Sequence, residues 1–134
     1  MTIRYLAYEQ LVRLHHELML DDGKSAVVIS PEKLEAAGMR PQASVFGEDA
    51  YRSLAEKAAA LLESIAIGHP FLDGNKRAAF VATNTFLLLN GVRGSFAEDD
   101  MYSLVLAVAS GEFKGVDLIA ARLRELYAPH LDER

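Results

Sequence analysis

Apolar residues recur at three- and four-residue spacing along most of this chain, which predicts about six helices and little strand. Over residues 8–20, Leu11, Leu14 and Leu18 with Val12 and Met19 form one face of an amphipathic helix. Asp21-Asp22-Gly23-Lys24 ends it with a turn. Ala26 to Ile29 reads as a short extended piece. Ser30-Pro31-Glu32 carries three start signals: an N-cap serine, a proline at the first helical position and an acid in the first turn. That second helix stops at Gly38. Residues 39–52 read as a long loop, which in a compact domain is usually functional or mobile. A third helix runs from about Ser53 to Ile67, with Ala55, Ala58, Ala59, Leu62, Ile65 and Ala66 as a smooth packing face, and Gly68 as its terminator. A fourth runs from Asn75 to just before Asn90-Gly91. It is apolar nearly all round, the pattern of a buried central helix. Asp99-Asp100 opens a fifth, which ends at Ser110-Gly111. Residues 116–127 form a sixth, with Leu118, Ile119, Leu123 and Leu126 inward. The tail from Pro129 to Arg134 is expected to fray. The sum is an all-α fold, a compact bundle in one domain spanning 1–134, without internal repeat or linker.

Composition narrows what such a bundle does. A chain of 134 residues fits one domain that buries roughly two-thirds of its unfolded surface. It has no cysteine, which excludes a disulfide scaffold and thiolate metal sites and fits a reducing cytosol. Net charge is −5, so direct nucleic-acid binding is not expected, since phosphate contacts need clustered Lys and Arg. Met1-Thr2-Ile3-Arg4-Tyr5-Leu6 lacks a signal-peptide apolar region. The longest apolar runs, Ala78 to Ala82 and Phe86 to Leu89, are too short to span a bilayer. A cytoplasmic protein with no membrane partner is the expectation.

The chemistry is concentrated in His69-Pro70-Phe71-Leu72-Asp73-Gly74-Asn75-Lys76-Arg77. Lys76 and Arg77 open the fourth helix, where the macrodipole is positive and acids are the usual choice. A local rule broken in this way often marks a functional site. The compensation would be an anion at the helix start, where free N–H groups point outward; the plainer reading is two cations leaning into water. Asp73 either caps the helix or holds Mg²⁺ together with phosphate oxygens. Gly74 either makes a tight turn or lets the backbone approach a phosphate, and Asn75 holds the loop or the anion. His69, biased toward an extended conformation by Pro70, is either a loop histidine bonded to backbone or a base accepting a hydroxyl proton. Phe71 and Leu72 are expected to anchor the loop in the core. His15 and His16 are read as a helix surface or edge, and His130 as tail.

His69 to Arg77 resembles the signature of the Fic/Doc superfamily, H-P-F-x-D-G-N-(G/K)-R, and lysine at position 76 makes it similar to the death-on-curing (Doc) branch. Tyr5-Leu6, Arg40-Pro41-Gln42-Ala43, the Phe86 to Val92 stretch and Arg124-Glu125-Leu126-Tyr127 also look like that branch. The resemblance implies an all-α bundle whose motif loop leads into a central buried helix. It implies His69 as catalytic base, Asp73 as Mg²⁺ ligand, Gly74 and Asn75 as an anion hole, and Lys76 and Arg77 at the phosphates. Adenylyl-transferring members have glycine where this chain has Lys76, and an arginine where it has Phe80; Val81 replaces an asparagine found in some Doc proteins. The implied reaction is therefore transfer of the γ-phosphoryl of ATP to a serine or threonine of a protein target, elongation factor Tu, which would stop translation. Fic-type AMP transfer and a catalytically silent partner-binding module are the alternatives. The loop 39–52 would be a target-docking flap using Arg40, Gln42, Ser44 and Phe46. Ser44 to Glu48 almost fits a self-inhibitory helix pattern and is read as chance. Inhibition would then come from an antitoxin whose C-terminal segment occupies a groove.

Overall fold

The structure, a computed structural model, describes residues 2–133. Its helices are α1 (Tyr8–Asp21), α2 (Pro31–Met39), α3 (Leu54–Gly68), α4 (Asn75–Leu89), α5 (Glu98–Ala109) and α6 (Val116–Leu126). All six lie within a residue or two of the positions their periodicity and caps predict. The Ser30 hydroxyl accepts the Lys33 N–H to cap α2. Ser53 and Glu56 form a reciprocal capping box at α3, which holds the Glu56 carboxyl below its ordinary value, mainly through the Ser53 hydroxyl.

α3 is the most deeply buried helix. It packs against α2, α4, α5 and α6 at once, and from Leu54 to Ala66 ten of its residues are buried. Its runs of alanine let these neighbours approach closely. α4 lies along it and also meets α1 and α5, burying Ala78, Ala79, Ala82, Thr83, Phe86 and Leu87. Each fully buried leucine, isoleucine or phenylalanine here contributes about 1.5–3 kcal/mol. The motif loop between α3 and α4 is thus suspended between the two best-anchored helices of the bundle.

Three expectations are corrected, and one burial was not foreseen. The loop 39–52 is ordered structure: a 3-10 turn Arg40–Gln42, then a hairpin of β1 (Ser44–Val45) and β2 (Glu48–Asp49). Its tight turn puts both Phe46 (φ 52°) and Gly47 (φ 79°) in the left-handed region, with the Phe46 ring fully exposed. The signal was weak because phenylalanine, rather than asparagine or aspartate, takes the first turn position. The tail from Pro129 is not frayed: His130–Glu133 form a 3-10 turn and Leu131 is buried in the core, although Arg134 lies outside the described residues. Leu118 is exposed, because only one side of α6 meets the bundle. Lys57, an unremarked position on α3, is 2% exposed. Its ammonium donates to Asp49 Oδ2 (3.1 Å) and the Pro41 carbonyl (3.4 Å) and lies over the Tyr5 ring, tying the hairpin to α3. No helix among the described residues is long and apolar enough to cross a membrane.

Candidate functional site

The motif loop begins where α3 ends. Gly68 is still helical; the left-handed C-cap falls on His69 (φ 51°, ψ 57°). The expectations that Gly68 stops the helix and that His69 is extended are both corrected. Pro70 excludes the right-handed helical region at residue 69, and a left-handed residue satisfies both that exclusion and the reversal that ends a helix. Such a conformation costs a non-glycine residue about 1–2 kcal/mol, and strain of this kind clusters at functional sites. His69 Nδ1 lies 2.8 Å from the Ile67 carbonyl oxygen. A carbonyl only accepts, so Nδ1 carries the hydrogen, and in the neutral ring Nε2 keeps its lone pair.

The next residues are stitched to the segment before α2. Ile29 and Ser30 N–H groups both donate to the Pro70 carbonyl (2.9 and 3.0 Å), Leu72 N–H donates to Val27 (3.0 Å), and Val28 pairs with Phe71. The short extended piece expected at 26–29 therefore has the motif loop as its partner. Phe71 is buried, but Leu72 is exposed, so of these two expected anchors only Phe71 reaches the core. Strand-like alternation explains the difference: neighbours on an extended segment point to opposite sides.

Asp73 is not a helix cap. Its Oδ1 accepts the Gly74 N–H (2.8 Å) and its Oδ2 lies 3.3 Å from Lys24 Nζ. The Lys24 hydrogen bond first, then the Gly74 N–H, hold this carboxyl below the usual carboxylate range. Gly74 has φ +80°, a backbone conformation that favours glycine, and a Cβ there would stand 2.8 Å from Met19 Sδ. The Asn75 side chain closes on the Phe71 backbone in both senses (3.0 and 2.9 Å). It braces the loop, and what Asn75 can offer an anion is its N–H. α4 begins without a side-chain cap or an acid in its first turn, which leaves its first amides for a ligand. The Arg77 guanidinium pairs with Asp22.

These pieces line one cleft of about 300 Å³: His69, Leu72, Asp73, Gly74, Asn75, Lys76, Arg77 and Tyr102. Every motif residue singled out for chemistry is present. Tyr102, on α5, carries no local signal in the sequence. Past Arg77 and Tyr102 lies a second cleft of about 370 Å³ containing Leu18, Phe80, Val81, Glu98 and Asp99. Past His69 and Lys76 lies a third of about 550 Å³ along α5. The motif thus stands between two openings. A larger cleft of about 590 Å³ between α2 and α3 holds neither the histidine nor the motif carboxylate.

Of the expected docking residues, none lines the motif cleft. Arg40 is committed elsewhere: its guanidinium donates to Tyr51 Oη (3.0 Å), Glu63 Oε1 (2.9 Å), Ser64 Oγ (3.1 Å) and the Ala60 carbonyl (3.3 Å). It clamps the 3-10 turn to α3. Gln42 is exposed and makes only a long contact to Met39 sulfur. Ser44 and Phe46 remain presented on the hairpin.

The family model described as Fic/DOC family matches residues 5–87, more than half of the chain and the whole motif loop. The chain belongs to the Fic/DOC family. It is 49% identical over 92 residues to Toxin Doc of Mycolicibacterium smegmatis, a stretch covering 67% of this chain and 70% of that protein. The Fic/DOC match ends within α4, so Tyr102 and the α5 wall of the cleft lie beyond it.

Among the described residues, no cluster of three or more His, Cys, Asp or Glu could hold a metal ion. The donor set at Asp73 is one ionised carboxylate. That fits Mg²⁺ only in company with phosphate oxygens and water, which is how this hard cation is commonly held. Lys24 now covers one oxygen of that carboxylate. Removing it in Lys24→Ala is expected to lower the Mn²⁺ concentration that half-saturates the protein in the presence of ATP by about two- to fivefold, the modest range of an exposed ion pair. Titration of the free Mn²⁺ signal by electron paramagnetic resonance checks this.

Proposed function

We propose that this Fic/DOC protein is a Doc-type toxin that transfers the γ-phosphoryl group of ATP to a serine or threonine hydroxyl of a protein target, elongation factor Tu, in the bacterial cytoplasm. The carrying observation is the single cleft that unites a base-competent His69 with a cationic, uncapped helix start. Two features favour phosphoryl over adenylyl transfer. Lys76 adds bulk and charge where adenylyl-transferring relatives have glycine, and Phe80 stands where they have a second phosphate-binding arginine.

In this reading the backbone amides opening α4, with Lys76 and Arg77, hold the phosphates. Arg77 releases Asp22 to do so. The target hydroxyl lies against His69 Nε2, which takes its proton as the oxygen attacks the γ-phosphorus. The bond from that phosphorus to the bridging oxygen breaks and ADP leaves. Mg²⁺, when held by Asp73 and the phosphates, supplies charge neutralisation. Lys76 and Arg77 stabilise charge on the transferring oxygens. The hairpin β1–β2, with Ser44 and the exposed Phe46, serves as the target-docking flap; its hairpin geometry gives Ser44 to Glu48 no role as a self-inhibitory helix. Restraint comes from an antitoxin whose C-terminal segment occupies a groove. The name of the mycobacterial relative supports such a partner, and contact with DNA would belong to that partner, given the net charge of −5 here.

The test is label transfer. The chain is incubated with Mg²⁺, elongation factor Tu and ATP labelled on either the γ- or the α-phosphate. Label from the γ position on the target is the expected result. Label from the α position would replace this reading with AMP transfer. Absence of both would overturn it for this target.

A further inference from the structure

Among the described residues, the proposed chemistry leaves the one buried histidine unused. His15 lies on the inner side of α1 and is 1% exposed. It touches the motif loop twice. Its ring stacks on Phe71 with centroids 3.7 Å apart and planes 9° from parallel. Its Nε2 lies 2.7 Å from the backbone oxygen of Asp73. That oxygen only accepts, so Nε2 is the donor.

The bond falls on a particular peptide unit. The Asp73–Gly74 peptide has its carbonyl taken by His15 and its N–H taken by Oδ1 of Asp73 itself. Rotation of that peptide plane would carry away the N–H that orients the carboxylate. His15 therefore controls the carboxylate through one rigid planar group. A Cβ on Gly74 would stand 2.8 Å from Met19 Sδ and 3.5 Å from His15 Nε2, so the loop runs close to both side chains.

We infer that His15 is a positioning residue of the transfer site, holding the Asp73–Gly74 peptide so that the Asp73 carboxylate is aimed at the divalent cation accompanying ATP. This assignment rests on the nucleotide-transfer reading of the cleft. The competing role is plain core packing, which an aromatic ring of similar size would fill equally well.

The two roles separate by substitution. His15→Phe keeps the ring and removes the donor. His15→Gln and His15→Met are near-identical in shape, and only glutamine carries an N–H donor. Mn²⁺ binding to each ATP-loaded protein is read from the free Mn²⁺ signal, beside a thermal melt of each variant. His15→Phe should weaken Mn²⁺ binding about tenfold or more, the usual effect of losing a group that orients a metal ligand. His15→Gln should bind Mn²⁺ about tenfold more tightly than His15→Met at similar melting temperature, a comparison that holds even if His15→Phe does not fold. Equal Mn²⁺ affinity in the glutamine and methionine variants would overturn the positioning role and leave packing. If the unaltered chain binds neither Mn²⁺ nor ATP, the nucleotide-transfer reading itself falls, and the assignment with it.

Discussion

His69→Ala is expected to reduce γ-phosphoryl transfer about 10²- to 10⁴-fold, the range for removing a positioned general base, while Mn²⁺ and ATP still bind. The reason is geometric. Ile67 accepts from Nδ1 at 2.8 Å, which in the neutral ring selects the tautomer with a free lone pair on Nε2. Among the described residues, no other imidazole lines the motif cleft, and His15 has its Nε2 committed to a carbonyl. Alanine also removes a residue from a left-handed backbone position, so a companion variant separates chemistry from folding. Asparagine tolerates that conformation better than most residues, and His69→Asn should melt close to the unaltered chain yet be equally inactive. Single-turnover label transfer and thermal melting together make the comparison. Activity within tenfold of normal in either variant would place the base elsewhere.

Phe71→Ala is expected to cost about 3–5 kcal/mol of folding stability, the range for emptying a buried phenylalanine site. Phe71 is 1% exposed and is the loop residue that reaches the core. Its ring carries the stacked His15, and its backbone carries both hydrogen bonds of Asn75. Losing the ring therefore loosens the loop as well as opening a cavity. Against the ordinary total of about 5–15 kcal/mol for a domain, this variant is close to unfolding. Urea denaturation measures the loss, and Phe71→Leu, which fills much of the space, should lose distinctly less. A cost below about 1 kcal/mol in Phe71→Ala would mean that the loop is not held from the core.

The helices were legible because their signals are local. Leu11, Leu14 and Leu18 recur with the period of one helix, and Ser30-Pro31 and Ser53 with Glu56 carry their caps within four residues. The candidate site was legible for the same reason. His69, Asp73, Gly74, Asn75, Lys76 and Arg77 are contiguous, so the chain itself delivers them to one place. The side that each flanking residue faces was less legible. Leu72 and Leu118 are apolar and exposed, since hydrophobic residues are not obliged to be inside and only the packed neighbours decide which side of an element is covered.

What the sequence by itself determined is the all-α class, the helix order and the identity of the motif residues, each encoded within a few positions. What only the tertiary structure decided is how that motif is held and what it touches. His15 reaches Asp73 across 58 positions, Lys24 across 49, and Asp22 reaches Arg77 across 55. Tyr102 completes the cleft from another helix. Contacts over such separations leave no periodic trace, because they depend on α1 and α5 packing beside the α3–α4 pair. The burial that drives that packing is non-directional: it favours covering apolar faces, and the fitting of side chains between helices selects which distant residues meet.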